Sequence, residues 1–97
     1  MSDKDAEDKS VSFVKAAIDS GIPEEYANGF QILAGQADVV MILQRNGKSV
    51  ESINMSFTVA KSLAQALSEV IQQIEAATGM DIKTSKQIAK SLGENKA

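Results

Sequence analysis

The chain reads as an α+β domain: a three-stranded antiparallel β-meander, then a long amphipathic α-helix, with a short helix before the sheet and another after the long helix. Three observations predict this. Residues 56–79 repeat apolar side chains at the helical period. Residues 26–55 break at Gly35 and again at Asn46-Gly47 into three apolar runs of strand length. Asn46-Gly47 itself is a strong hairpin signal, because a type I′ turn needs positive φ at both central residues.

Residues 1–9 alternate acids and bases with nothing large and apolar after Met1, a composition expected to form a disordered tail. From Ser10 the pattern changes. Val11, Val14 and Ile18 recur at helical spacing beside Phe13 and Ala17, and Gly21 and Pro23 supply a stop. A helix of about three turns is marginal alone, so this one is expected to dock.

The first strand is expected over residues 26–34, the second over 38–45 and the third over 48–55. Short links between consecutive strands imply antiparallel neighbours. Tyr26, Asn28 and Gln31 bring polar atoms to the start of the sheet, and Asn28-Gly29 could supply a bulge or tight bend. Alternation places Val39, Met41 and Leu43 on one face of the second strand and Val40 and Ile42 on the other, so both faces are apolar. The third strand is more one-sided, with Ile53 and Met55 beside Val50.

On the long helix, a step of about 100° per residue gathers Val59, Ala60, Leu63, Ala64, Ala66, Leu67, Val70, Ile71, Ile74 and Ala77 on one arc. That arc spans roughly 160°, wider than a two-helix seam and suited to two packing surfaces. Ser56 or Thr58 can act as N-cap, and Gly79 is placed for a left-handed C-terminal residue. Beyond it, residues 84–92 can form a last helix with Ile88 and Leu92 on one side. Lys83, Lys86 and Lys90 are read there as solubilising charge rather than a phosphate site. Residues 93–97 read as a second disordered tail, leaving one domain over 10–92 with its core in 26–79.

A chain of 97 residues buries a smaller fraction of its surface than a larger domain does, and with no cysteine it has no disulfide to compensate. One helix covers only one face of a three-stranded sheet. The other face calls for the N-terminal helix, a second copy or a client molecule, and the thin core favours a second copy. The expected assembly is a homodimer or a dimer of dimers, with Val39, Met41, Leu43, Leu63, Leu67, Val70 and Ile74 at the interface.

Composition also removes function classes. Without cysteine or histidine, thiolate chemistry, structural zinc sites and Ser-His or Cys-His catalysis are excluded. No glycine-rich phosphate loop is present, and Asp38, Glu51, Glu69 and Glu75 stand at no spacing that compels cation binding or acid–base work. No catalytic residue, metal or cofactor is therefore expected. A net charge of −3 argues against a dedicated nucleic-acid binder. No apolar run approaches a membrane span and no signal-peptide layout opens the chain, so a soluble cytoplasmic protein is the expectation.

Two resemblances add to this reading. The segment Tyr26-Ala27-Asn28-Gly29-Phe30-Gln31-Ile32, with Met55-Ser56-Phe57-Thr58-Val59-Ala60-Lys61-Ser62-Leu63 after it, resembles a family of short bacterial proteins known only as a domain of unknown function. Phe57 stands where that family usually has proline, and Gly29 where it usually has an apolar residue. The resemblance implies Ser56 as N-cap and no activity. The order of antiparallel strands before a long helix is also similar in topology to SecB-like export chaperones, which is analogy of fold alone. The function expected from all of this is a non-enzymatic, homo-oligomeric protein-interaction or adaptor module. A SecB-like holder of unfolded client segments is one alternative. A sheet-based binder of single-stranded nucleic acid is another, although such binders stack bases on aromatics and this chain offers Phe13, Tyr26, Phe30 and Phe57.

Overall fold

The computed structural model describes residues 3–94. Its fold is α+β: α1 Asp3–Asp19, β1 Gly29–Ala34, β2 Asp38–Arg45, β3 Lys48–Ser56, α2 Phe57–Thr78 and α3 Ser85–Glu94. The strands form one antiparallel sheet in the order β1-β2-β3, the expected meander. The chain divides into two units, Met1–Asn54 and Met55–Ala97.

In the first unit, α1 begins at Asp3, so the tail expected over residues 1–9 is helical from its third position. Positions 1 and 2 lie outside the described residues. The composition argument for disorder loses here to propagation. Residues 3–9 hold lysine, alanine and glutamate with no glycine or proline, and lengthening an established helix adds a hydrogen bond per residue without a new nucleus. The C-terminal end falls where expected: the Gly21 N–H donates to the Ile18 carbonyl at 3.0 Å, and Gly21 takes φ 85°.

Strand β1 starts at Gly29 rather than at residue 26. Its register against β2 is continuous, Gly29 opposite Gln44 through Ala34 opposite Val39, so Asn28-Gly29 makes no bulge. The ladder does reach one residue further back, because the Asn28 N–H donates to the Gln44 carbonyl at 3.0 Å. The β1–β2 turn is closed by the Gly35 N–H on the Asp38 carbonyl at 2.7 Å. At the β2–β3 turn Asn46 has φ 53° and Gly47 φ 82°, as a two-residue hairpin whose twist matches its strands requires.

In the second unit, Ser56 ends β3 and caps α2: its Oγ accepts the Val59 N–H at 3.2 Å. Met55 and Ala60, on either side of the cap, occupy the positions of a hydrophobic staple, and both are half-buried. Gly79 closes the helix in the left-handed region at φ 71°, its N–H donating to the Glu75 carbonyl at 2.9 Å. Helix α3 starts one residue later and ends two residues later than expected. Thr84 serves as its cap, since the Gln87 N–H donates to Thr84 Oγ1 at 3.2 Å while the Thr84 N–H donates to Gln87 Oε1 at 2.8 Å. That reciprocal pair satisfies two donors that a helix start otherwise leaves open. Gly93 and Glu94 continue the helix instead of fraying, and residues 95–97 lie outside the described residues.

Among the described residues none is fully buried. Partial burial gathers on the sheet, where Val39 to Gln44 are all half-buried because β2 has a strand on each side. In β3, Val50, Ile53 and Met55 are half-buried and their neighbours exposed.

Candidate functional site

The β1–β2 register decides which side chains share a surface. Opposed residues of an antiparallel pair point to the same face. Phe30 lies opposite Leu43, Ile32 opposite Met41, and Ala34 opposite Val39. One face of this strand pair is therefore apolar at all six positions, and it contains the three sheet residues Val39, Met41 and Leu43 expected at an interface. The opposite face is mixed, with Gln31 opposite Ile42, Leu33 opposite Val40 and Gly29 opposite Gln44. Phe30 remains 61% exposed and Ile32 57%.

A polar clamp holds this face at the hairpin end. Asn28 and Asn46, distant in sequence, exchange two bonds: Asn28 Nδ2 donates to Asn46 Oδ1 at 2.9 Å, and the Asn46 N–H donates to Asn28 Oδ1 at 2.9 Å. Arg45 adds an ion pair to Glu25 at 3.5 Å. Asn28 thus ties the segment before β1 to the tip of the β2–β3 turn and stabilises the left-handed Asn46. Sequence reasoning placed Asn28 at the start of the sheet but had no signal for its partner.

The helix residues Leu63, Leu67, Val70 and Ile74 form one stripe on α2, separated by four, three and four positions. No residue of α2 is buried; Leu67 is 56% exposed and Val70 50%. The polar flank is occupied locally, with Gln65 Nε2 donating to Glu69 Oε1 and Gln72 Nε2 to Ser68 Oγ, both at 3.4 Å. Glu75 is half-buried, and its Oε2 accepts the Ile82 N–H at 3.0 Å, folding the link after Gly79 back on the last turn of α2. Thr78 supports the same turn by donating its Oγ1 hydrogen to the Ile74 carbonyl at 2.7 Å and accepting the Met80 N–H at 3.2 Å.

The titratable groups do not converge. Among the described residues no group of three or more aspartates or glutamates could hold a metal ion. Asp38 and Glu51 are exposed on different strands, while Glu69 and Glu75 have the local partners above. Lys83 meets Asp81 at 2.6 Å, and that hydrogen bond, with the carboxylate charge behind it, raises the ammonium above its ordinary range. Its contribution is therefore complete below the ordinary lysine pKa and is lost as the pH rises through the raised value, in an alkaline window. Of the four aromatics, Phe30 alone lies on a strand. No helix among the described residues is long and apolar enough to cross a membrane.

The two groups of side chains so defined are an apolar sheet face and an apolar helix stripe, each on its own unit. No family model, curated protein or solved structure matches the chain. The reading of function rests on these surfaces.

Proposed function

We propose that the chain is a non-enzymatic protein-interaction module of the cytoplasm that assembles with copies of itself, as a homodimer or a dimer of dimers. The observation that carries this reading is an apolar face that stays partly exposed. Phe30, Ile32, Ala34, Val39, Met41 and Leu43 share one side of the β1–β2 pair, and no described residue is fully buried. Removing apolar surface from water is worth about 25 cal/mol per Å², so a face of this kind is stable when a second surface covers it. Asn28 and Ser56, which carry the resemblance to the bacterial family of unknown function, have structural work as hairpin clamp and helix cap. Membership of that family is part of the same proposal, and it fits a scaffold better than a catalyst.

Sedimentation velocity over a micromolar concentration series tests the assembly. Complexes of two or four chains are expected, and a single species at the 10.3 kDa chain mass would contradict the reading. A SecB-like holder is the second reading, favoured by the same open apolar face and by the adaptable Met41 on it. It predicts that stoichiometric protein suppresses aggregation of an unfolded client; absence of suppression removes it. Binding of single-stranded nucleic acid is less well supported, because Phe30 is the sole strand aromatic and the net charge is −3.

A further inference from the structure

Along α2, Ala60, Leu63, Leu67, Val70, Ile74 and Ala77 alternate in spacing by three and four, which is the spacing of a helix-pair seam. The seam reads alike from both ends: alanine, four large aliphatic residues, alanine. We propose that α2 packs antiparallel against α2 of a second copy of this chain, about a two-fold axis passing between Ser68 and Glu69. This rests on the homo-oligomer reading and specifies its geometry.

Reversing the helix about that midpoint sets Leu67 against Val70 of the partner subunit, Leu63 against Ile74 of the partner subunit, and Ala60 against Ala77 of the partner subunit. Large residues meet large ones in the middle, and the small ones let the two backbones approach at each end. Contact of this self-complementary kind is what a two-fold interface requires.

Charge selects the antiparallel orientation over the parallel one. Helix α2 has no acidic residue in its first turn and no basic residue in its last. Its lysine, Lys61, stands near the N-terminal end and Glu75 near the C-terminal end, so the side-chain charges run with the helix dipole instead of against it. Two heptads separate them, which puts both on the polar side of the helix, away from the seam. An antiparallel partner opposes the two dipoles and brings the Glu75 end of the partner subunit's helix to the level of the Lys61 end. A parallel partner would align lysine with lysine and glutamate with glutamate. Such exposed charges fix orientation more than affinity. Val59 and Ile71 flank the seam and leave the wide apolar arc a second packing surface.

The absence of cysteine makes introduced thiols clean probes. The full-length variants Ala60→Cys and Ala77→Cys are prepared with different tags, mixed by unfolding and refolding together, and treated with a short bismaleimide. The expected result is a covalent dimer joining one chain of each kind, with little linkage in either variant alone, because in this geometry two copies of residue 60 lie about 25 Å apart along the seam. Leu63→Cys with Ile74→Cys gives the same test one layer inward if either alanine variant fails to fold. Linkage of each variant to itself would overturn the antiparallel arrangement. No linkage in any mixture, while sedimentation still shows a dimer, would place the interface away from α2 and leave the assembly standing. Monomers by sedimentation would remove both.

Discussion

Asn28 has the most consequential single role among the polar residues. Its amide engages Asn46 twice and its backbone N–H extends the β1–β2 ladder to Gln44. Replacing Asn28 with alanine removes both side-chain bonds at an exposed site and is expected to cost about 1 kcal/mol, measured as a shift of the urea midpoint. Asn46→Gly separates the clamp from the turn, since glycine keeps the positive φ while losing the amide. It should lose less than Asn28→Ala, and a larger loss would mean that the turn rather than the clamp is the weak point. Gly29 carries the opposite expectation. A Cβ there would meet Gln44 side-chain atoms at 3.6 to 3.7 Å, which is ordinary contact, and its φ is not positive. Gly29→Ala should therefore stabilise the fold by about 0.5–1 kcal/mol through the unfolded state.

At the scale of elements, α2 was legible almost residue by residue because all its signals are local. The period, the Ser56 cap and the left-handed Gly79 lie within one continuous stretch, and each depends on groups a few positions away. The β2–β3 hairpin was legible for the same reason, its geometry being dictated by Asn46-Gly47. Less legible was whatever depends on distant parts of the chain. The alternation in β2 grouped Val39, Met41 and Leu43, but their union with Phe30, Ile32 and Ala34 depends on a register set across the turn that Gly35 and Asp38 close. The early start of α1 was missed because charge composition was weighed above helix propagation. Ser56→Ala should cost about 1 kcal/mol by loss of the bond to the Val59 N–H. Gly79→Ala forces an L side chain into φ 71° and should cost about 1–2 kcal/mol, with circular dichroism locating the loss at the end of α2.

At the scale of the molecule, no described residue is fully buried, so the apolar residues of each unit keep some exposed surface. The apolar face of six side chains on two strands and the row of six on one helix all keep some exposure, and the proposed assembly would cover them. Charge introduced in the middle of the sheet face should then act on assembly. Met41→Lys is expected to shift the complex toward single chains, because a lysine enclosed by an apolar interface loses hydration without gaining a partner. Lys61→Ser, on the polar side of α2, should leave the mass of the complex unchanged and alter only its salt sensitivity.

The most direct test of the central claim is the mass of the native protein in solution, followed by sedimentation equilibrium from high to low micromolar concentration, beside Met41→Lys under the same conditions. The account predicts a two- or four-fold multiple of 10.3 kDa for the native chain and a fall toward 10.3 kDa for the variant. A native protein that stays at 10.3 kDa throughout the series would contradict it.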